Sequence, residues 1–493
     1  MPDNLPRKPG DRVFRPRRIK RFHLKRVLGV PALFSIGYGD VGSSIYYALG
    51  VVALVALGAT PIALGVAGVI YIFNALTYAE GSAMIPEGGG SASYARHAFN
   101  NLIGFISGWV LMLSYIATMA ISAYTIPPYL SYFWPVLNNA SISTVVAMGI
   151  IGFLMMINVL GVKESTRLNI FFIFVDVVTQ VTIVVLGIVL ILRVNPSVLV
   201  QNMFGEGNWP STQNLVMGIA LAALCFTGVE SVSQHGQETR HPEKRMPQAY
   251  VLMIVVVLIL FAGISIVALS AMTPQMLGDP VNGWARDPVA GIAANLPSQM
   301  LQDIFKPLVA ILAASILLTA TNAGLLGISR LTYNLSTNHQ LPAALGRVHP
   351  RFRTPYMAII IFCAIAIFML APGFTNPDFF ADLGALYVFG SLLCFAFAHA
   401  AIISLRIKKS DMTRPFKLRW NINFKGKDLP VTAILGLLSN IGIWIVVMVT
   451  QPFSRWAGLG WMAGGLVIYF VYFLYRRFRK EHSNDWEIKL DKK

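Results

Sequence analysis

Two carboxylates lie in apolar stretches of this sequence where the helical pattern is interrupted. Asp40 stands among three glycines in residues 35–47, and Glu230 follows Gly228 in residues 224–233. A glycine costs about 1 kcal/mol inside a helix, and an unpaired carboxylate at membrane depth costs several kcal/mol. A membrane-spanning chain accepts both where the helix breaks to line a cavity. These residues therefore predict a binding site for a small polar or charged solute rather than a catalytic centre.

The elements that position these carboxylates are predicted to be transmembrane helices. Mean hydropathy is +0.62, 55% of the residues are hydrophobic and 12% are charged, which is about half the charged fraction of soluble domains. Twelve apolar stretches are long enough to cross a bilayer; they lie near 30–53, 60–84, 102–130, 143–161, 168–192, 213–235, 247–271, 302–330, 355–371, 377–405, 429–450 and 456–475. The sequence therefore predicts an all-α polytopic membrane protein with 12 transmembrane helices and no separate soluble domain.

The net charge of +17 is distributed in a way that predicts the orientation. With the N-terminus in the cytoplasm, all but four of the 39 Lys and Arg residues fall in cytoplasmic segments; the exceptions are Arg193, Arg286, Lys306 and Arg455. By the positive-inside rule, both termini are cytoplasmic and the chain is a multi-pass protein of the cell (inner or plasma) membrane. The basic arm then marks topology and contacts anionic lipid, which is favoured over a nucleic-acid partner.

Two further groups of polar residues lie within predicted spans. In the third span, Ser114, Tyr115, Thr118 and Ser122 share one helical face, which either packs against another helix or lines the site. In the fifth span, Asp176 is either a structural carboxylate bonded to a neighbouring helix or a protonatable group that couples transport to protons. The three cysteines fall in apolar spans without metal or redox spacing, so no metal site, cofactor or catalytic residue is expected.

The two interruptions fall in spans one and six, and each of these opens a run of five spans. Matching interrupted helices in two halves are typical of transporters with inverted repeats, in which the binding site lies at the interruptions. The predicted organisation is a basic cytoplasmic arm, a first repeat, a second repeat, helices eleven and twelve, and a cytoplasmic tail, over residues 1–27, 28–192, 213–405, 429–475 and 476–493.

Several short blocks carry a resemblance to a known family. They close helix two, enter helix five, follow the helix-six interruption and occupy the loops after helices eight and ten, at residues 78–90, 158–165, 227–242, 327–352 and 414–417. These blocks resemble the amino acid–polyamine–organocation (APC) transporter superfamily over about residues 28–475. The resemblance implies secondary transport and a LeuT-like 5+5 inverted repeat with broken helices 1 and 6. Counted from residues 163–165, Asp176 falls where proton-coupled amino-acid carriers of this fold often bear a lysine.

Helix one resembles a particular group within that superfamily. Residues 39–44 are similar to the helix-one segment of bacterial potassium–proton symporters, in which an Asp and a Tyr seven residues later contribute to the ion site. Asp40 and Tyr47 match this spacing. A further set of positions in helices three, six and ten also matches that group: Tyr115, Thr118, Ser122, Thr227 and Tyr387. Ser114 departs from it, because the potassium group has an Asp there, and the departure removes one anionic oxygen from the proposed cage.

We therefore expect a secondary active transporter that imports an amino acid or a related amine by alternating access. Proton symport, driven by the transmembrane proton gradient, is the expected energy source; potassium–proton symport is the alternative, and a membrane enzyme or receptor is less favoured. Asp40 is expected to pair with the substrate ammonium, and N–H groups freed at the two helix breaks with the substrate carboxylate.

The predicted substrate-binding residues are Asp40, Gly42, Ser43, Tyr47, Tyr115, Thr118, Ser122, Thr227, Gly228 and Tyr387. The predicted proton-coupling residues are Asp176, Asp40 and Glu230. The expected partners are the small solute and membrane lipid.

Overall fold

The computed structural model describes residues 26–161, 166–194, 196–296, 298–352, 354–376, 379–424 and 426–490. Most of the predicted basic arm, the segment at 163–165 and the last three residues of the predicted tail therefore lie outside the described residues.

Eighteen α-helices, joined in places by short 3₁₀ turns, form almost all of the described part of the chain. They are α1 (Val30–Val41), α2 (Ile45–Ala56), α3 (Thr60–Met84), α4 (Ser91–Ala98), α5 (Asn101–Leu130), α6 (Ala140–Leu160), α7 (Thr166–Val194), α8 (Pro196–Phe204), α9 (Thr212–Ala222), α10 (Glu230–Ser233), α11 (Pro242–Ala271), α12 (Pro274–Gly278), α13 (Pro288–Ala294), α14 (Gln299–Thr337), α15 (Tyr356–Met369), α16 (Phe379–Lys408), α17 (Val431–Thr450) and α18 (Pro452–Leu490). The all-α fold class is as predicted.

Eleven helical stretches in the described residues are long and apolar enough to cross a membrane. The first, Val30–Met84, has 55 residues, and a straight helix of that length would extend about 80 Å, more than twice the hydrocarbon thickness of a bilayer. The stretch is interrupted by the 3₁₀ turn Leu57–Ala59, where Leu57 has a φ of 46°. It therefore has the length of two spans, α1 with α2 and then α3, while the exact number of twelve stays a prediction.

Helix α5 lies at the centre of the molecule and helix α18 at its edge. In α5, 83% of the apolar membrane-crossing segment is buried inside the protein. In Pro452–Arg477 of α18, only 11% of the corresponding segment is buried. Helix α5 packs against α14 and α16, and α1 packs against α11, α14 and α7. The outer surface of α18 is therefore the part of the bundle that lipid must cover.

The helix contacts agree with the predicted repeat. In the predicted repeat, α1 corresponds to α9 and α3 corresponds to α11. The contact between α1 and α11 then has an equivalent in the contact between α9 and α3, and both contacts are present. Helices α5 and α14, which hold the third place in the two predicted halves, pack directly on one another. The repeat and its boundaries remain predictions.

One small element was not expected from the sequence. Strands β1 (Asn421–Phe424) and β2 (Lys427–Pro430) form an antiparallel hairpin between α16 and α17, with Gly426 in the turn at a φ of 75°. Strands of four residues in a polar connection show no alternation of apolar and polar residues long enough to detect.

A buried ion pair attaches this hairpin to the end of α3. Glu80 is fully buried and accepts hydrogen bonds from Arg406 Nε at 2.8 Å and Arg406 Nη2 at 2.5 Å. It also accepts the Leu418 N–H at 2.9 Å, while Arg406 Nη1 donates to Asn421 Oδ1 at 2.7 Å. Removing one partner would leave an uncompensated buried charge, which is strongly destabilising. The ends of α3 and α16 are therefore held together with the hairpin.

Candidate functional site

The sixth predicted span is broken in the middle. Its first half, α9, continues as the 3₁₀ turn Ala223–Phe226, and its second half, α10, begins at Glu230. Between them, Thr227 is extended (φ −81°, ψ 158°) and Gly228 has a φ of 103°. Residues with a Cβ rarely adopt that second conformation. The predicted break at Thr227 and Gly228 is confirmed.

Side chains near the break bond several of the freed backbone groups. The Gly228 N–H donates to Glu230 Oε2 at 3.0 Å, and Ser231 Oγ donates to the Gly228 carbonyl at 2.7 Å. Thr227 Oγ1 donates to the Leu224 carbonyl at 2.8 Å. Glu230 thus places its negative charge at the positive end of its own half-helix. An internal carboxylate therefore accepts the Gly228 N–H in this structure, and binding of a substrate carboxylate at the freed N–H groups stays a prediction.

Asp40 packs directly against the broken segment. A Cβ built on Gly228 would lie 2.7 Å from the carboxyl carbon of Asp40, so only glycine leaves room for this side chain. Asp40 is 1% exposed, and the nearby Ser231 hydroxyl donates to the Gly228 carbonyl, which leaves both Asp40 oxygens without a hydrogen bond from the described residues. A buried charge without partners is costly. Asp40 is therefore the group at which a cation or donor from outside the chain would be most strongly stabilised.

Helix one changes its winding at the predicted place but does not unwind. Helix α1 passes into α2 through the 3₁₀ turn Gly42–Ser44, and the ends of this turn keep right-handed helical backbone angles. Ser43 Oγ donates to the Asp40 carbonyl at 2.7 Å, while Ser44 Oγ lies 2.5 Å from both the Val41 carbonyl and the Cys225 carbonyl in the 3₁₀ turn of helix six. This corrects the expectation of a broken helix one: the interruption is a tightened turn whose hydroxyls bond its own carbonyls.

Three buried tyrosines surround Asp40. Tyr47 from α2, Tyr115 from α5 and Tyr387 from α16 are at most 1% exposed, and each lies close enough to experience the charge of Asp40. The hydroxyl groups of Tyr115 and Ser122 are buried without a hydrogen-bond partner in the described part of the chain. Aromatic faces stabilise cations, whereas unpaired hydroxyls can donate to an anion. The region around Asp40 therefore offers complementary groups to both ends of an amino acid.

Glu230 connects the broken helix to helices α5 and α16. Ser114 Oγ donates to Glu230 Oε1 at 3.5 Å and lies 2.7 Å from Ser391 Oγ. Glu230 is 1% exposed and close enough to Asp40 for the two carboxylates to repel each other. Thr118 Oγ1 donates to the Ser114 carbonyl at 2.9 Å within its own helix. The bonds of Glu230 hold the break in shape, and its role in proton coupling stays a prediction.

Asp176 attaches α7 to both sides of the turn in helix one. Asp176 Oδ1 accepts the Tyr46 hydroxyl at 2.5 Å, while Oδ2 accepts the Tyr38 hydroxyl at 3.3 Å and Gln180 Nε2 at 2.7 Å. Tyr38 precedes the turn Gly42–Ser44 and Tyr46 follows it, so one carboxylate bridges the turn. Asp176 thus makes the bonds to a neighbouring helix that one of its two predicted roles requires, and its role in proton coupling stays a prediction.

The partners of Asp176 were only weakly predictable from the sequence. Gln180 stands four residues after Asp176, the spacing at which helical side chains pair, but tyrosines in an apolar helix have no such signature. Gly42 makes room for Tyr38, since a Cβ there would lie 2.6 Å from the tyrosine ring, and its role in substrate binding stays a prediction. Ser391 carried no signal at all, because a lone serine in a span is ordinary.

Helix six is broken, helix one contains a 3₁₀ turn, and a carboxylate without a hydrogen bond from the described residues is buried between them. This arrangement is typical of a membrane transporter rather than an enzyme. The chain is thus a multi-pass membrane protein built to bind a small solute. More particularly, residues 28–474 match the family model described as amino acid permease, and the chain belongs to that family.

Several curated relatives resemble the chain over most of its length. The branched-chain amino acid permease BcaP of Bacillus subtilis (strain 168) is 26% identical over 469 residues, covering 91% of this chain and 93% of the relative. The methylthioribose transporter of the same organism is 27% identical over 482 residues, covering 91% and 94%. The cystine/glutamate transporter of Homo sapiens is 26% identical over 362 residues, covering 72% and 68%. Relatives of equal similarity thus carry different solutes, so family membership alone does not select the solute.

Proposed function

We propose that this protein imports an amino acid or a related amine together with protons, by alternating access. The names of two of the relatives above, which specify amino acids, support the solute class. The observation that carries the proposal is Asp40, a carboxylate 1% exposed against the helix-six break and without a hydrogen bond to the described residues. A substrate ammonium is the simplest group that would complete it.

The substrate carboxylate needs donors other than the Gly228 N–H, because Glu230 already holds that group. The Tyr115 and Ser122 hydroxyls are buried donors that make no hydrogen bond within the described residues. In the proposed complex they donate to the substrate carboxylate while its ammonium faces Asp40, since charge-assisted hydrogen bonds are the stronger kind. Tyr47 and Tyr387 then flank the cationic end.

Proton coupling is proposed to act through Asp176. When this carboxylate is protonated, it becomes a weaker acceptor for the hydroxyls of Tyr38 and Tyr46, because a neutral acid lacks the charge that strengthens these bonds. Both sides of the turn Gly42–Ser44 are then held less firmly. Movement of α1 and α2 about this turn would open and close access to Asp40, as a hinge does in other switching proteins.

Potassium–proton symport remains the alternative, and one contact favours it. Position 114 lacks the Asp of the potassium group, but Ser114 donates to Glu230, so a second carboxylate lies near Asp40 from another helix. Two carboxylates close together attract a compact cation. Against this, Glu230 already accepts the Gly228 N–H, which leaves less of its charge for an ion.

The deciding experiment is uptake into proteoliposomes with an imposed inward proton gradient. Labelled rubidium, a pool of labelled amino acids and labelled methylthioribose are offered to matched samples of the same vesicles. We expect uptake of one or more amino acids that is collapsed by a protonophore. Rubidium uptake without amino-acid uptake would select the alternative. Uptake of methylthioribose alone would reject both, because an uncharged solute gives Asp40 no counter-charge.

A further inference from the structure

A cavity with a volume of about 310 Å³ is lined by a different set of residues from those around Asp40. It opens where the start of α5, the end of α14 and the last turns of the α18 span meet. Its lining residues are Asn101, His339, Gln340, Tyr469, Tyr472, Phe473, Arg476 and Arg477. None of the residues predicted for substrate or proton binding lines it. Two guanidinium groups and three aromatic rings are thus gathered at one end of three membrane-crossing helices.

The charges around this cavity favour an anion. Asn101 is the first residue of the 30-residue helix α5, and a helix N-terminus carries a positive partial charge. The opposite effect of the α14 C-terminus is reduced, because Arg476 Nη1 donates to the His339 carbonyl at 3.3 Å. Gln340 Nε2 donates to the Asn101 carbonyl at 2.6 Å and fixes the two helix ends together. Arginine forks match the oxygens of a phosphate group particularly well.

The position of the cavity favours a phosphate that belongs to a lipid. The α18 span is only 11% buried, and Phe473 in the cavity wall is 52% exposed on that lipid-facing helix. Tyrosine and arginine at the end of a span lie at the level of lipid headgroups. The predicted orientation places Arg476 and Arg477 at the cytoplasmic face, where basic pockets between helices bind anionic headgroups.

We propose that this cavity binds the phosphate group of an anionic phospholipid from the cytoplasmic leaflet. Arg476 holds the phosphate, and the start of α5 faces it from the other side. The acyl chains follow the ring of Phe473 into the membrane along α18.

The test uses purified full-length protein and native mass spectrometry, with phosphatidylglycerol and phosphatidylcholine as the two lipid probes. We expect wild-type protein to retain phosphatidylglycerol in preference to phosphatidylcholine. R476Q/R477Q should retain at least about tenfold less phosphatidylglycerol, because both positive charges that attract the anionic headgroup are removed. R476K/R477K keeps the charge but loses the forked donors, so its retention of phosphatidylglycerol should lie between that of the wild type and that of R476Q/R477Q. The matched control R347Q/R419Q removes two exposed arginines outside the cavity and should bind like the wild type.

Three results would overturn the proposal. Equal retention of the two lipids by the wild type would show that the phosphate charge is not recognised. Equal losses in R476Q/R477Q and R347Q/R419Q would show that general surface charge, not this cavity, attracts the lipid. Displacement of phosphatidylglycerol by millimolar inorganic phosphate would show a site for free phosphate. Because the wild-type arm needs no variant, the proposal can fail even if R476Q/R477Q does not fold.

Discussion

Asp40 and Asp176 are buried to the same extent but have opposite surroundings. Each is 1% exposed within a membrane-crossing helix. Asp176 accepts three hydrogen bonds from described side chains, whereas both oxygens of Asp40 lack a partner within the described chain. An unsatisfied buried polar group persists where a ligand or a function requires it. The difference supports a framework contribution of Asp176 around helix one and the proposed role of Asp40 in binding the solute.

The substitution with the largest expected effect is Asp40→Asn. It keeps the shape and removes the charge, so solute uptake should fall at least about tenfold, since losing one partner of a buried charge pair costs about 2–5 kcal/mol. Counterflow exchange and uptake driven by a pH gradient should fall together, because the solute is no longer held. Thermal stability should stay equal or rise, since no bond within the described structure is lost. Transport at the wild-type rate would remove Asp40 from the site.

Asp176→Asn should separate two activities that Asp40→Asn abolishes together. Counterflow exchange should persist, whereas accumulation driven by an imposed pH gradient should be lost, because the variant has no proton to carry. Thermal stability should fall by about 1–3 kcal/mol as the bonds to Tyr38 and Tyr46 lose their charged acceptor. Loss of both activities would make Asp176 purely structural. If both persist, the proton moves elsewhere, with Asp40 and Glu230 as the next groups to test.

Gly228→Ala tests how closely Asp40 and the helix-six break depend on each other. The new Cβ would meet the Asp40 carboxyl and would occupy a backbone conformation that is strained by about 1–3 kcal/mol. We expect a several-fold loss of uptake with a moderate fall in the midpoint of thermal unfolding. Gly149→Ala is the matched control, because a Cβ at that glycine meets nothing within 4 Å. Equal behaviour of the two variants would contradict the close approach of Asp40.

The smallest effects should come from two neighbouring tyrosines that face different carboxylates. Tyr46→Phe removes the 2.5 Å bond to Asp176 and should lower stability by about 1 kcal/mol with little change in the KM of uptake. Tyr47→Leu removes the aromatic face proposed to flank the substrate cation beside Asp40 and should raise the KM of uptake. Uptake kinetics and thermal unfolding of the same two preparations make the comparison. If both variants act alike, the division of roles between the two carboxylates fails.

The residues of the site that could be predicted from the sequence are those that are unusual in a membrane-spanning helix. Asp40, Gly228 and Glu230 stand out because charge and backbone flexibility are expensive among apolar residues, and the structure brings all three together. The helical spans were predictable for the same reason, since their length and apolar character follow from the bilayer.

The parts that could not be predicted depend on which side chains meet across helices. Helix one was expected to unwind, but Ser43 and Ser44 bond the carbonyls that unwinding would have freed. The two tyrosine partners of Asp176 are brought to it by the packing of α7 against helix one, and nothing in the tyrosine positions predicts that contact. Ser391 is brought to Ser114 by the same kind of tertiary contact.

The ion pair between Glu80 and Arg406 has a consequence for how the chain is made. The two residues are 326 positions apart, so at 5–20 residues per second a ribosome needs roughly 15 to 65 s to supply the second after the first. During that interval Glu80 has no guanidinium, and the end of α3 is not yet docked on α16. The first helices are therefore in the membrane before the ion pair that joins α3 to α16 can form. A nascent chain released before α16 is made would lack this ion pair.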